Sequence, residues 1–324
     1  MSESDFLPVI DLAPAREGKF AQTGQAIGAA FSRSGFCYIR NHGVDEALIR
    51  AVHDEALDFF HAPMTEKLTC KPQQAVRGFN ALNRTTMQGA QNPDYKEFFQ
   101  IGLDLPADDP AVLAGQPLRG PNLWPENRPA FRAAMEAYFE AIGACGRVLL
   151  QAVAASLGIA PDFFARKYDR PLQRSQAIWY PPHPADRLAD QFGVAPHTDY
   201  GCITLLWQDE TGGLEVQDLT GTWMAAPPIP GTLVINIGDL LSRWSNRRYV
   251  STPHRVTNRS GRERVSLATF YDPDYDAVID PRDLALPVSQ VPCDPPVLAG
   301  DYIIGRIRDS QKARSTEAPA PRRV

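Results

Sequence analysis

The chain changes character near Ser175. Before that point apolar residues recur at helical spacing. After it the apolar runs become short, β-branched and punctuated by Gly, Pro, Asn and Asp. Ile203 to Trp207, Leu214 to Gln217, Leu233 to Ile237, His254 to Thr257 and Val265 to Tyr271 read as strands joined by tight turns, which predicts a sandwich or barrel. The front half predicts helices over Gly18 to Ser34, with Gly35 as C-cap, from an Asp45 N-cap to about His61, and over Pro63 to Lys67. Leu7 to Leu12 and Phe36 to Ile39 read as strands between them. Pro129 opens a long helix to Leu157, whose stripe of Phe131, Met135, Tyr138, Phe139, Ile142, Leu149 and Val153 marks a core face. A helical half followed by an all-β half is an α+β protein. Residues 70–127 lack periodicity and are rich in Gly, Pro, Asn and Gln, so they predict a long irregular region of the functional or mobile kind. After Ile307 the composition predicts a frayed tail.

With 324 residues the chain can form one large domain or two closely packed ones. A formal net charge of −5 leaves no basic footprint for nucleic acid; the basic stretches Arg243 to Arg248 and Lys312 to Arg323 read as solvated surface. The cysteines Cys37, Cys70, Cys145, Cys202 and Cys293 are odd in number and contain no CxxC, which argues against a disulfide framework or a thiolate zinc site. Met1 to Asp5 holds no apolar signal segment, and no apolar run reaches the ~18 residues of a membrane helix. These observations predict a soluble cytoplasmic protein, a monomer or weak dimer, that acts on a small molecule without nucleic-acid or membrane partners.

His197-Thr198-Asp199 is the first candidate for chemistry. On a strand, residues two apart share a face, so both side chains can reach one ion. His53-Asp54-Glu55 has the same His-x-acid form but lies in a predicted helix, where residues two apart diverge, and reads as helix surface. His183 sits in a Pro-rich loop and reads as surface. His254, on another predicted strand, supplies a third ligand for the His197 pair. Two histidines and a carboxylate on one face leave the opposite face of an octahedral ion open, as in non-haem Fe(II) oxygenases. The same ligands also suit a hydrolytic Zn²⁺. Arg264 and Ser266, again two apart on a predicted strand, can hold one carboxylate through a guanidinium fork and a hydroxyl.

These residues, with many others in order, resemble the isopenicillin N synthase-like, plant-type 2-oxoglutarate/Fe(II) oxygenases. The resemblance covers roughly residues 6–305. It is carried by Pro8-Val9-Ile10-Asp11-Leu12, Gly35-Phe36-Cys37-Tyr38-Ile39 with Asn41-His42-Gly43-Val44, Arg77-Gly78-Phe79, Asn122-x-Trp124-Pro125, Tyr180-Pro181-Pro182, His197-Thr198-Asp199, Gly212-Gly213-Leu214-Glu215-Val216, Asn236-Ile237-Gly238-Asp239, Ser251-Thr252-Pro253-His254-Arg255-Val256 and Arg264-x-Ser266. It departs from the family at Ile178, where relatives often carry Asn, and at Asn246-Arg247, where Asn-Gly is usual.

The resemblance implies a double-stranded β-helix (jelly-roll) core with a helical N-terminal region and a long supporting helix. It divides the chain into 1–125 as the N-terminal dioxygenase region, 126–172 as the linking helix, 173–308 as the core and 309–324 as a flexible tail. It implies Fe(II) on His197, Asp199 and His254, the distal carboxylate of 2-oxoglutarate on Arg264 and Ser266, and Tyr180 near the co-substrate or substrate, with no further catalytic side chain. Asn236, Asp239 and His42 become framework residues. O₂ is the implied oxidant, with ascorbate as a reductant. The implied reaction couples decarboxylation of 2-oxoglutarate to succinate and CO₂ with hydroxylation, desaturation or cyclisation of a small, anionic organic substrate. Arg77, Tyr95, Phe98, Trp179 and Phe270 are the expected substrate wall, with Arg77 on a substrate carboxylate. An oxidase that uses no 2-oxoglutarate, an ethylene-forming activity on 2-oxoglutarate, a non-catalytic binding protein and the zinc hydrolase remain the alternatives.

Overall fold

The computed structural model describes residues 6–72, 77–87, 90–183, 191–284 and 291–316, with 310–316 by backbone alone. Residues 1–5 and 317–324, for which the sequence predicts an acidic start and a tail, lie outside the described residues.

The elements that place the site are β1 (Val9–Asp11), α1 (Phe20–Arg33), β2 (Phe36–Arg40), α2 (Glu46–His61), β3 (Gly78–Asn80), β4 (Glu97–Gly102), α3 (Pro129–Leu157) and β5 (Arg174–Tyr180). They continue with β6 (Val194–His197), β7 (Ile203–Gln208), β8 (Leu214–Gln217), β9 (Trp223–Ala225), β10 (Thr232–Ile237), α4 (Asp239–Trp244), β11 (His254–Val256), β12 (Arg264–Tyr271) and α5 (Ala299–Thr316). The strands form an eight-stranded sheet, β1-β2-β10-β7-β12-β5-β4-β3, and a four-stranded one, β6-β11-β8-β9. The inner faces of the two sheets share one apolar cluster that includes Phe36, Phe98, Ile178, Val194, Leu214 and Val256. This is the jelly roll. Four strands of its large sheet come from before residue 125, so the front of the chain is built into the barrel wall.

Local chemistry explains the helices. Asp45 caps α2 by accepting the Ala47 N–H at 2.8 Å, as expected of an N-cap carboxylate. Pro129 starts α3 where its missing N–H costs nothing, and Gly158 ends it in the left-handed conformation (φ 73°). The α3 stripe packs on the outer face of the large sheet and on α1 and α2. Phe131 stacks on Phe59 of α2 at 5.1 Å and meets Phe99 of β4 edge-on at 4.9 Å. Each such fully buried side chain contributes about 1.5–3 kcal/mol.

Several expectations need correction. The α3 helix is long and apolar enough to cross a membrane by length and composition, contrary to the expectation that no such segment exists, but most of its apolar stretch is buried inside the protein. Residues 70–127 are not wholly irregular, since β3 and β4 lie in the large sheet. Every residue of β4 is buried, which removes the alternation that marks a half-exposed strand. Its Glu97 is held inside by Lys67 at 2.7 Å. The β half contains the helix α4. The segment after Ile307, expected to fray, continues α5 to Thr316.

Candidate metal centre and active site

The pleat decides which side chains face the interior. On β12, Arg264, Ser266, Ala268 and Phe270 share one face. Their register partners Tyr180, Ile178 and Gln176 on β5, and Gln208, Leu206 and Thr204 on β7, face the same way. Asn236 of β10, opposite Thr204, and Phe98 of β4, opposite Ile178, extend this face. The cavity between the sheets is lined by Phe98, Phe270, Met87, Tyr180 and Leu206, and also by His197, Asp199 and His254.

His197 and His254 are direct cross-strand partners on β6 and β11. Asp199 is not on the strand, as the His-x-Asp spacing suggested. β6 ends at His197, and Asp199 comes from the turn that follows. That turn is tightly closed. A Cβ at Gly201 would collide with the Asp272 carboxylate, and one at Gly238 would collide with the Gly201 and Asp199 carbonyl oxygens. Only glycine fits at either position.

One ligand atom from each of His197, Asp199 and His254 lies within 4.8 Å of the others. Asp199 Oδ1 is 3.7 Å from His197 Nε2 and 3.8 Å from His254 Nε2. The remaining atoms of the three side chains are already engaged. His197 Nδ1 lies 2.9 Å from the Ala195 carbonyl and His254 Nδ1 3.2 Å from that of Thr252. A carbonyl only accepts, so each Nδ1 carries a proton, and each Nε2 is the ring nitrogen turned towards Asp199 Oδ1. Asp199 Oδ2 accepts from Thr204 Oγ1 (2.6 Å) and Asn236 Nδ2 (2.7 Å), which leaves Oδ1 free. Burial, then His254 beside it, pushes His197 down to about 3, so its ring is neutral. Burial alone would raise Asp199, but the two imidazoles and the Thr204 and Asn236 donors bring it below the usual carboxylate range. A neutral imidazole at His197 and an ionised carboxylate at Asp199 are protonation states that suit a divalent cation. The donor set fits iron.

Arg264 is fully buried. Its Nε donates to the Gly212 carbonyl, NH1 to Ser266 Oγ and NH2 to Gln208 Oε1, the latter two at 3.2 Å. The guanidinium lies 4.7 Å from the centroid of the Tyr180 ring. No ion pair among the described residues includes it. Three of five N–H donors are used, and two remain for an anion. Gln208 is a member of this group that sequence reasoning missed; its place opposite Ser266 follows only from the strand register.

The expected substrate wall divides. Phe98 and Phe270 line the cavity. Trp179, between Ile178 and Tyr180, is turned by the pleat to the opposite face, where it stacks on Phe60 and donates to Glu263 at 2.8 Å. Arg77 is not on the cavity either. Its guanidinium packs against Gly102, where an added Cβ would fall 1.3 Å from NH1, and donates to the Leu118 carbonyl at 2.9 Å. Tyr95 stacks on His183 at 4.9 Å and is not among the cavity residues. Among the described residues, the cation that does line the cavity is Lys96, directly before β4. As expected, His42 serves a turn, accepting the Val44 N–H at 3.2 Å. Asn236 and Asp239 lie outside the His197–Asp199–His254 cluster, and both brace the turn that carries Asp199. Asp239 accepts from Thr198 at 3.2 Å and Ser251 at 2.7 Å, and pairs with Arg306 of α5.

A jelly roll with two histidines and a carboxylate facing one buried cavity, and an unpaired arginine fork beside it, defines a non-haem metal oxygenase. Comparison with known proteins narrows the class. Residues 7–127 match the family described as non-haem dioxygenase in morphine synthesis N-terminal, and residues 164–273 match the 2OG-Fe(II) oxygenase superfamily. The chain is 33% identical over 295 residues to homoarginine-6-hydroxylase 2-ODD-C23 of Glycine max, covering 86% of this chain and 88% of the relative. A 2OG-Fe(II) oxygenase family protein from Caulobacter crescentus superposes with a TM-score of 0.82 at 31% identity, covering 94% of this chain and 99% of that one. A Neurospora crassa protein crystallised in complex with alpha-KG and thymine gives 0.81 at 28% identity, covering 96% of this chain and 97% of that one. The chain belongs to the 2OG-Fe(II) oxygenase superfamily. It is a 2-oxoglutarate-dependent dioxygenase that uses Fe(II), 2-oxoglutarate and O₂.

Proposed function

We propose that His197, Asp199 and His254 hold the iron, that Arg264, Ser266 and Tyr180 hold the far carboxylate of 2-oxoglutarate, and that the enzyme hydroxylates a small organic molecule seated against Phe98 and Phe270. The observation that carries this reading is the orientation of the three ligand atoms. Each is turned into the cavity while its side chain's other polar atom is already hydrogen-bonded. Bound iron supplies the oxygen activation that couples loss of CO₂ from 2-oxoglutarate to substrate oxidation. The protein's side chains orient and exclude water. The Arg264 fork fixes one end of the co-substrate, and the aromatic wall keeps the reacting C–H bond in an apolar space. The cavity of about 180 Å³ is little larger than an engineered cavity of ~150 Å³ that holds one benzene, which favours a small substrate over a polymer. The naming of a homoarginine hydroxylase among the relatives supports hydroxylation as the outcome.

We extend the proposal to a cytoplasmic monomer or weak dimer. Five free cysteines, four of them buried, support a reducing compartment. The test is a substrate screen by 2-oxoglutarate-dependent succinate release, read together with product mass. One added oxygen per succinate is the expected result. Product formed without 2-oxoglutarate, or ethylene in place of succinate, would overturn it.

A further inference from the structure

Lys96 stands directly before β4, in the same alternation as Phe98 and Gln100, and lines the cavity that holds His197, Asp199 and His254. It is the one lysine or arginine among the described residues of that lining. Its side chain is only 7% exposed, and a buried ammonium group needs a counter-charge. Asp94 provides one at 3.3 Å. Asp94 is itself wholly enclosed and tied down: Oδ2 accepts from Thr85 Oγ1 and Oδ1 from the Ala195 N–H, both at 3.1 Å. The carboxylate therefore serves as a fixed anchor that positions the lysine, with no face left for a ligand. An ammonium group has three N–H donors. No hydrogen bond or ion pair of Nζ other than that with Asp94 occurs among the described residues. The lysine body lies along Phe98, with Nζ 5.8 Å from the ring centroid. The other polar lining side chains away from the metal and clamp are committed or uncharged; the Gln176 amide, for example, donates to Gln100 at 2.7 Å.

We propose that Lys96 binds an anionic group, most simply a carboxylate, on the primary substrate, while Phe98 and Phe270 cover its apolar body. This rests on the reading of the cavity as an oxygenase's substrate chamber, and it moves substrate-anion recognition from Arg77 to Lys96. Two separate anion sites then serve the chamber, Lys96 in its lining and Arg264 behind the lining residue Tyr180. Arg264 holds the co-substrate on the β12 side, and Lys96 holds the substrate on the β4 side. The Lys96 site is joined to the metal through one residue. Ala195 donates its N–H to Asp94 and offers its carbonyl to His197 Nδ1.

The test uses the anaerobic enzyme saturated with Fe(II) and 2-oxoglutarate. Matched carboxylates and carboxamides (phenylacetate, 3-phenylpropanoate and hexanoate against their amides) are titrated by calorimetry. A charge-assisted hydrogen bond predicts that at least one carboxylate binds the wild type about tenfold or more tighter than its amide. Lys96→Met alone would strand Asp94 as a buried lone charge, so the informative variant is the double Asp94→Asn/Lys96→Met, with Lys96→Arg as its partner. The double variant should bind acid and amide within about threefold of one another, and Lys96→Arg should keep the preference for the acid. The proposal is overturned if wild type shows no preference for any carboxylate, or if the preference survives in the double variant. The underlying reading is tested separately by whether the wild type binds 2-oxoglutarate in an Fe(II)-dependent manner. Failure there removes the oxygenase site, whereas a change in acid-over-amide preference reports on Lys96.

Discussion

Thr204→Val offers the sharpest test of how the metal site is held. Valine has nearly the shape of threonine and suits a strand, so β7 should keep its place while Asp199 Oδ2 loses its 2.6 Å donor. The bond lies inside the protein and ends on a charged group, where such bonds contribute about 1.5–3 kcal/mol. Asn236 remains at 2.7 Å, so Asp199 is loosened but not freed. Loss of a group that orients a metal ligand typically weakens metal binding or activity about 10–100-fold, equivalent to about 1.4–2.7 kcal/mol, which overlaps the hydrogen-bond figure. The assay is anaerobic Fe(II) titration followed by calorimetry, with circular dichroism to confirm the fold. A 10–100-fold rise in the Fe(II) dissociation constant with an unchanged spectrum is expected. An affinity within twofold of wild type in a folded protein would refute the view that the Thr204 donor sets the Asp199 carboxylate for iron.

Other predictions follow from the same geometry. Arg264→Met should raise the KM for 2-oxoglutarate about 100-fold or more, since charged hydrogen bonds are lost together, while anaerobic Fe(II) affinity changes little; loss of both in parallel would argue for general collapse. Burial first, then Arg174 and Arg119, pushes Arg77 down to about 10, and its Nε and NH1 have no partner among the described residues. A base lowered on folding opposes stability below its folded pKa, so Arg77→Met should leave the melting temperature at pH 7 unchanged or higher and substrate KM within about twofold; a large KM increase would return Arg77 to the substrate. Anaerobic Fe(II) at about 100 times its dissociation constant should stabilise the fold by ~2.7 kcal/mol, seen as a higher melting temperature, and His254→Ala should abolish that rise.

The metal and clamp candidates were legible because spacing two apart on a strand has a geometric meaning, and His197, His254, Arg264 and Ser266 all lie on strands. Asp199 does not follow the strand geometry that its spacing from His197 suggests. It leaves the strand and reaches the site through a turn that Gly201 and Gly238 allow to close. The β4 strand was hidden because burial on both faces erases alternation, and with it went Lys96. Trp179 and Ile178 could not be separated without register, since a one-residue shift in a strand exchanges its faces. Gln208 and Thr204 gained their roles only through cross-strand pairing. The length of α5 was obscured by a polar composition that resembles a frayed tail.

Thr198, between His197 and Asp199, hydrogen-bonds Asp239, and Asp239 is paired with Arg306, whose guanidinium lies 4.7 Å from the Tyr200 ring. A ribosome delivers the chain from its N-terminus, so His197, Asp199 and His254 all emerge before Arg306. The ligands therefore exist for a time on a nascent chain whose brace has not yet been made. The Asp239–Arg306 contact therefore forms only after all three proposed ligands have been made, and a chain ended just before Arg306 is expected to keep His197, Asp199 and His254 while holding iron less tightly.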